Sequence, residues 1–158
     1  MNTTILRGLS AAAIIAGAMA FVGAAFAGEC PVGKIVADGK GQIDQGFAAK
    51  GVTDTVLASI DLSKEMVAAQ DHKFRMRRLE IQPGGIVPWH DHSDRPALIY
   101  VVKGEITEYA STCTDPIVHK AGDVSVDAGR HHWWKNTGKQ TVVLISSDIL
   151  HDPADTNM

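Results

Sequence analysis

The chain has 158 residues, with 15 Lys and Arg against 18 Asp and Glu and a formal net charge of −3. That length suits one domain with a real core, not several. A mildly acidic balance with no basic run leaves no electrostatic footprint for nucleic acid, which drops out of the expected partners.

Residues 1–27 carry one charge, Arg7, followed by an apolar run rich in Ala and Gly that ends in Ala25-Phe26-Ala27. This is the pattern of a secretory signal peptide cut after Ala27. The rival is a retained membrane anchor. The small-x-small ending and the lack of a basic flank favour removal, leaving no membrane attachment. Lipidation at Cys30 is disfavoured by Glu29, which stands where a small residue is wanted. The expected location is periplasmic or secreted, in an oxidising compartment. There Cys30 and Cys113, the two cysteines of the chain, read first as a structural disulfide. Free thiols at one or both positions are the alternative.

Residues 28–51 contain six glycines and read as an N-terminal arm with short elements. The domain proper is expected over 52–151, with a polar tail at 152–158. Residues 52–62 are rich in β-branched and aliphatic side chains and read as a strand. Residues 63–72 read as a loop or one helical turn. In 73–82 the apolar phase changes at Arg77-Arg78, which suggests a bulge or a strand covered on both faces. Pro83-Gly84-Gly85 reads as a turn before a strand at 86–92. Further strands are expected at 97–102, 106–110 (pairing back on the one before), 117–119, 124–126, 131–136 and 141–150. The turns between them are marked by Gly104, Gly122, Gly129 and Gly138, the last hairpin-like. No stretch keeps a 3.6-residue period, and turns recur every eight to twelve residues, the mark of an all-β sandwich or barrel.

His90 and His92 are two apart in a strand, so their imidazoles share one face. That arrangement suits a metal that takes nitrogen ligands. On the 131–136 strand, His132, Trp134 and Asn136 share one face and His131 the other. If His132 points inward, it joins His90 and His92 around one point.

These stretches resemble the two motifs of the cupin superfamily. The first motif runs Gly, five residues, His-x-His, three or four residues, Glu, six residues, Gly. It corresponds here to Gly84, His90-Asp91-His92 and Gly104. The second runs Gly, five residues, Pro-x-Gly, two residues, His, three residues, Asn, and corresponds to Gly122, Gly129, His132 and Asn136. Asp127 stands at the Pro position, and the Gly122–Gly129 stretch is one residue short. The resemblance implies a small single-domain barrel of the cupin double-stranded β-helix, or jelly-roll, type.

It also implies a metal site, with one departure. The Glu ligand is absent, because Pro96 and Ala97 occupy its positions. The family's three-His, one-Glu set reduces to His90, His92 and His132. Three neutral imidazoles leave a divalent charge uncompensated, which favours anions or hydroxide in open positions. The expected cofactor is a divalent transition metal, Zn, Cu, Ni, Fe or Mn. Asp94 and Glu105 are the acidic residues that could stand in for the missing ligand, and a barrel packed by its histidines without metal is the alternative. Arg95, Trp134 and Asn136 are the candidate contacts to a small-molecule substrate, with Arg95 suited to a carboxylate. His72, His119, His131 and His151 are expected at the surface. The resemblance implies oxygenase, lyase or isomerase chemistry, with oxygenases leading. A non-catalytic binding protein for a small ligand or a metal is the rival, and a homodimer is the expected assembly.

Overall fold

The alternation of apolar and polar residues becomes eight strands: β1 Lys50–Asp61, β2 Lys73–Asp91, β3 Ala97–Lys103, β4 Glu105–Ala110, β5 Ile117–Lys120, β6 Val124–Asp127, β7 His131–Lys135 and β8 Val142–Leu150. A 3-10 turn, Leu62–Lys64, follows β1. The structure, a computed structural model, describes residues 28–151. The expected signal peptide at 1–27 and tail at 152–158 lie outside the described residues. All seven strand pairings are antiparallel, in the order β5-β4-β7-β2-β8-β3-β6, with β1 also on β2. The result is a nearly closed barrel.

β2 organises it. Its first part, 73–81, lies between β1 and β8; its last part, 86–91, pairs with β7. Pro83-Gly84-Gly85 therefore does not reverse the chain, as its composition predicts. It is a corner inside one 19-residue strand, by which β2 passes from one side of the barrel to the other. Gly84 adopts φ 74°. Gly85 needs its missing side chain: a Cβ there would stand 2.7 Å from the Gln82 carbonyl and 2.8 Å from Ile81 Cγ2. Asn136 locks the corner from β7's end, its N–H donating to the Gly85 carbonyl and its own carbonyl accepting from Gly84 N–H.

The turns after β3 and β7 are not hairpins either. β3 pairs with β6 and β8, and β4 with β5 and β7. A glycine marks where the chain turns but not which sheet the next strand joins. The arm at 28–49 is held by Cys30–Cys113, a disulfide with Cα atoms 5.8 Å apart, and by backbone bonds from Val36 to Thr112 and from Gly41 to Ser111. Phe47 of the arm packs edge-on against Trp133, whose other neighbour, Tyr109, stacks on it at 3.9 Å.

The core is Leu79, Ile81, Val87, Ala97, Ile99, Val101, Ile106, Trp134, Val142 and Leu144. β3 shows the pattern plainly: Ala97, Ile99 and Val101 are buried while Leu98, Tyr100 and Val102 are exposed. In β2 the buried phase is Arg77, Leu79, Ile81, and Phe74 and Met76 face outward. The apparent phase change at Arg77-Arg78 is thus a charged residue in the inward phase. The register shift nearby falls between Val56 and Ala58 of β1, while β2 and β8 pair without interruption from 73 to 81.

Candidate metal centre

Inward phase in β2 runs Leu79, Ile81, then Val87. Continued strictly, it would point Trp89 inward and His90 out. A register shift between Val87 and His90 in the pairing with β7 changes the phase, so His90 is buried and Trp89 lies outside, stacked on His131 at 5.8 Å. A bulge that re-aims one side chain is a common device beside functional sites, and Pro88, lacking an N–H, suits it. His90 then sits directly across from His132 of β7. His92, just past the strand, is fixed by backbone bonds on both sides, from His92 N–H to the Arg130 carbonyl and from Gly129 N–H to the His92 carbonyl, each 2.9 Å.

The three rings lie with centroids 4.5 to 4.9 Å apart, and one nitrogen of each falls within 4.8 Å of the others. Each Nδ1 is engaged behind the ring: His90 with the Pro88 carbonyl at 2.8 Å, His92 with the Arg95 carbonyl at 2.7 Å, His132 with Glu108 Oε1 at 2.7 Å. Those partners only accept, so each Nδ1 carries the proton and each Nε2 presents a lone pair. His90 Nε2 and His132 Nε2 are 3.0 Å apart, and His92 Nε2 is buried with no hydrogen-bond partner. Three ring nitrogens converging in a buried space, with the Trp134 indole N–H 3.3 Å from His132 Nε2, fit a cation. Fixing a ligating imidazole through its far nitrogen is how proteins orient metal ligands. Burial, with the charges of His132 and His92, pushes His90 well below the usual histidine range. Burial and His132 take His92 down to about 4. Both rings are therefore neutral donors at physiological pH.

No acidic residue joins the trio as a ligand among the described residues. Asp94 and Glu105, the expected stand-ins, are exposed. The carboxylate near the site is Glu108 of β4, fully buried behind His132. It accepts from His132 on Oε1 and from His119 Nε2 on Oε2, both 2.7 Å, and from Arg130 at 2.9 Å. Burial alone would raise Glu108, but these hydrogen bonds and the Arg130 charge outweigh it and keep the group ionised. Asp127, at the motif's Pro position, is also buried and pairs with Arg130 and with Ser125 Oγ at 2.8 Å. Glu108, Asp127 and His132 form a second group of closely placed ligand atoms. With Arg130 and His119 already on those oxygens, that group is an ion-paired support for His132.

One expectation is corrected. His119 is not at the surface but fully buried, because the apolar phase of β5 puts it inside with Ile117. Arg95 is 2% exposed and gives its backbone carbonyl to His92. Asn136 is occupied by backbone. Its Nδ2 donates to the carbonyls of Ile81 and Gln140, and its Oδ1 accepts from Gly138 N–H. Neither Arg95 nor Asn136 lines the cavity in front of the trio. Trp134 does, together with Arg77, Leu79, Val87, His90, His92, Ile99, Leu144 and Ser146. The indole N–H of Trp134 lies 3.2 and 3.3 Å from the two ring nitrogens of His132. The cavity measures about 20 Å³, about what one water needs.

Glu108, His119, Asp127, Arg130 and Arg77 were not singled out by motif. For Glu108, His119 and Arg77 the signal is a polar residue in an apolar inward phase, as with Glu108 between Ile106 and Ala110; Asp127 shares the inward side of β6 with Ser125, and Arg130 lies between β6 and β7.

The Cupin domain family matches residues 77–148. No curated protein matches the chain. Among solved structures, a conserved protein with a double-stranded β-helix domain from Klebsiella pneumoniae is 17% identical, with a TM-score of 0.51 over 73% of this chain and 86% of that one. The Cnp3 cupin domain of Schizosaccharomyces pombe is 19% identical, with a TM-score of 0.44 over 51% of this chain and 65% of that one. A recombinant oxalate oxidase in complex with glycolate is 23% identical, with a TM-score of 0.49 over 66% of this chain. The chain spans 65% and 53% of the length of these last two. The strand order and the matched segment agree: residues 77–148 match the Cupin domain family, and the described residues fold as a small cupin-type barrel.

Proposed function

We propose that the protein is an exported cupin that binds one divalent transition metal through His90, His92 and His132 and acts on a small molecule at that centre. The observation that carries this reading is the common wiring of the trio. Each Nδ1 is tied to an acceptor, so the three Nε2 atoms face one another in a buried space. An all-imidazole set suits Zn, Cu, Ni or Fe, and holds Mn less firmly than a set with a carboxylate would. When bound, such an ion supplies a Lewis acid and an open position for water or dioxygen.

The chain's own residues do the rest. The Pro88 and Arg95 carbonyls and the Glu108 carboxylate orient the three rings. Leu79, Val87, Ile99, Trp134 and Leu144 line the space in front of them and keep bulk water out. Arg77, ion-paired with Asp54 and Asp148, closes one side of the cavity wall. A mostly apolar space with room for about one water favours a diatomic or similarly small ligand beside the metal, and so oxygenase-type chemistry over lyase or isomerase chemistry.

The same small volume favours a second reading, a non-catalytic periplasmic metal-binding or small-ligand protein, because an organic substrate does not fit the cavity as it stands. Metal analysis of the purified protein followed by anion titration separates them. One Fe or Mn per chain whose spectrum shifts with azide supports the enzyme. One Zn per chain with no response supports the rival. No stoichiometric binding of any of the five metals would remove both.

A further inference from the structure

Gly28 is buried, two residues before the Cys30–Cys113 disulfide that pins this segment to the barrel. No side chain fits there. A Cβ on Gly28 would stand 2.9 Å from His119 Nδ1, 3.2 Å from Asp123 Cβ and 3.5 Å from Asp123 Cγ. His119 is itself fully buried. Its Nε2 meets Glu108 Oε2 at 2.7 Å, and Glu108 Oε1 meets His132 Nδ1 at 2.7 Å. The ionised Glu108 only accepts, so His119 Nε2 carries the proton and Nδ1 presents a lone pair. None of the described residues donates to that lone pair. A buried acceptor without a donor is rare and calls for an explanation.

Asp123, the other neighbour of Gly28, lies partly buried in the turn between β5 and β6. Its Oδ2 accepts from Lys120 N–H at 2.7 Å, but the Lys120 ammonium turns to Glu105, and no lysine or arginine among the described residues pairs with Asp123. A cut between Ala27 and Gly28 places a charge between these two groups. Water adds across the amide, Ala27 leaves as a carboxylate, and Gly28 keeps the nitrogen as an α-ammonium with three N–H donors. The freed end can turn about the Gly28 Cα–C bond. A third of a turn exchanges the substituents of the tetrahedral Cα and brings the nitrogen to the point of the missing Cβ, the N–Cα bond of about 1.46 Å being nearly as long as Cα–Cβ. For a carbon, 2.9 Å from a ring nitrogen is a clash; for an ammonium nitrogen it is a hydrogen bond. The same point is within reach of the Asp123 carboxylate oxygens.

We propose that the α-ammonium of Gly28, freed by a signal peptidase, seats on His119 Nδ1 and the Asp123 carboxylate and so completes the hydrogen-bond chain behind the metal ligand His132. That chain runs from Gly28 to His119 Nδ1, from His119 Nε2 to Glu108, and from Glu108 to His132 Nδ1. Gly28 and Asp123 are positioning residues in it, since neither touches the metal centre. The proposal rests on the export and metal-binding reading above and adds an order of events to it. The uncut chain offers only a neutral amide N–H at Gly28, which does not reach His119 Nδ1. The support behind His132 is therefore complete only after export, in the same oxidising compartment where the Cys30–Cys113 bond forms and holds the new terminus in place.

The test uses the full chain, exported by a Gram-negative host and recovered from its periplasm, with Asp123→Asn alongside. Asn keeps the turn bond from Lys120 and removes the charge, and circular dichroism checks that both fold. Intact mass is expected to show a chain that starts at Gly28. Pulsed acetylation, read at the N-terminal peptide by mass spectrometry, should modify the wild-type α-amine about 10-fold more slowly in folded than in urea-unfolded protein, because ion pairing lowers the fraction of free amine. Asp123→Asn should remove most of that protection and weaken Zn binding, measured by chelator competition, about 3- to 10-fold. In nitrogen NMR of histidine-labelled protein, the His119 Nδ1 resonance, assigned by its loss in His119→Gln, should move in Asp123→Asn, which a merely structural role for the turn would not cause. Asp71→Asn, on the exposed loop before β2, leaves all three readouts unchanged. A mature chain that starts at another residue, an α-amine as reactive folded as unfolded, or a folded Asp123→Asn with wild-type protection or wild-type Zn affinity would each overturn the proposal. A protected amine in a chain that binds none of the five metals would uphold the seat and remove the metal reading instead.

Discussion

β2 carries two buried polar clusters, one on each side of its glycine corner, and they are wired in opposite ways. Before the corner, Arg75 and Arg77 meet Asp148 of β8 at 2.8 and 3.0 Å, and Arg77 also meets Asp54 of β1 at 2.5 Å. Each charge has its opposite, although Arg77 Nε and Asp54 Oδ1 are left without a hydrogen-bond partner. After the corner, His90 and His92 meet His132 with every protonated nitrogen turned away and every lone pair turned in. That cluster lacks a positive partner at its centre. Both survive burial, but the first is closed by the protein and the second asks for a guest. A cluster whose charges are paired within the protein serves the fold, whereas converging ring nitrogens with no cation among them mark a site.

The sharpest way to break this contrast is to remove a partner from each cluster. Asp148→Ala leaves Arg75 and Arg77 short of a counter-charge inside the protein and should destabilise it by about 3–5 kcal/mol in urea unfolding. His92→Ala, in metal-free protein, should cost clearly less, because no bonded partner loses its charge. Equal costs would mean that the trio is structural packing. Acid sharpens the same point. Burial would raise Asp148, but the Arg75 hydrogen bond and the Arg77 and Arg75 charges outweigh it and hold it below its ordinary value. The sign follows from the depressed value. Stability is full above the unfolded carboxyl's pKa of about 3.9 and is lost as pH falls through the lower, folded value. Stability measured from pH 5 to pH 2 should fall in wild type and flatten in Asp148→Asn.

The two clusters were not equally legible in the sequence. The trio was readable, because His-x-His and the downstream His132 sit at spacings that strand geometry can converge. What aims His90 inward, the bulge at Pro88-Trp89, shows only in pairing with β7. The arginine cluster was not readable: apolar residues in both phases, Phe74 and Met76 in one and Leu79 and Ile81 in the other, read as a bulge or a strand covered on both faces, yet Phe74 and Met76 belong to an exposed face. An outer face as apolar as the inner one defeats the rule that alternation reveals the core. Glu108 and His119 escaped for the complementary reason. Each lies on a short strand with few neighbours to define its phase, and their meeting depends on β4 pairing with β5 and β7 rather than with β3. Turns and strand count follow from local residues; pairing across a barrel does not.

The support behind His132 gives the next effect in size. Glu108→Gln keeps the shape but removes the charge that holds the His132 Nδ1 proton and accepts from His119. Metal affinity, measured by competition with a chromophoric chelator, should drop about 10- to 100-fold. His132→Ala in the same assay should abolish stoichiometric binding. If Glu108→Gln binds as tightly as wild type, the carboxylate belongs with the closed cluster and not with the site.

The smallest expected effect is the most discriminating about strand phase. His131 is the immediate neighbour of His132, but it faces the other way, stacked on Trp89 and 3.5 Å from Asp91 and 3.6 Å from Asp38. His131→Ala should leave metal stoichiometry and affinity within error of wild type and shift stability by about 0.5 kcal/mol or less, as exposed ion pairs do. Loss of the metal in this variant would mean that β7 presents its other face to the cavity. The inward set would then become His131, Trp133 and Lys135, and the bulge at Pro88-Trp89 would lose its purpose.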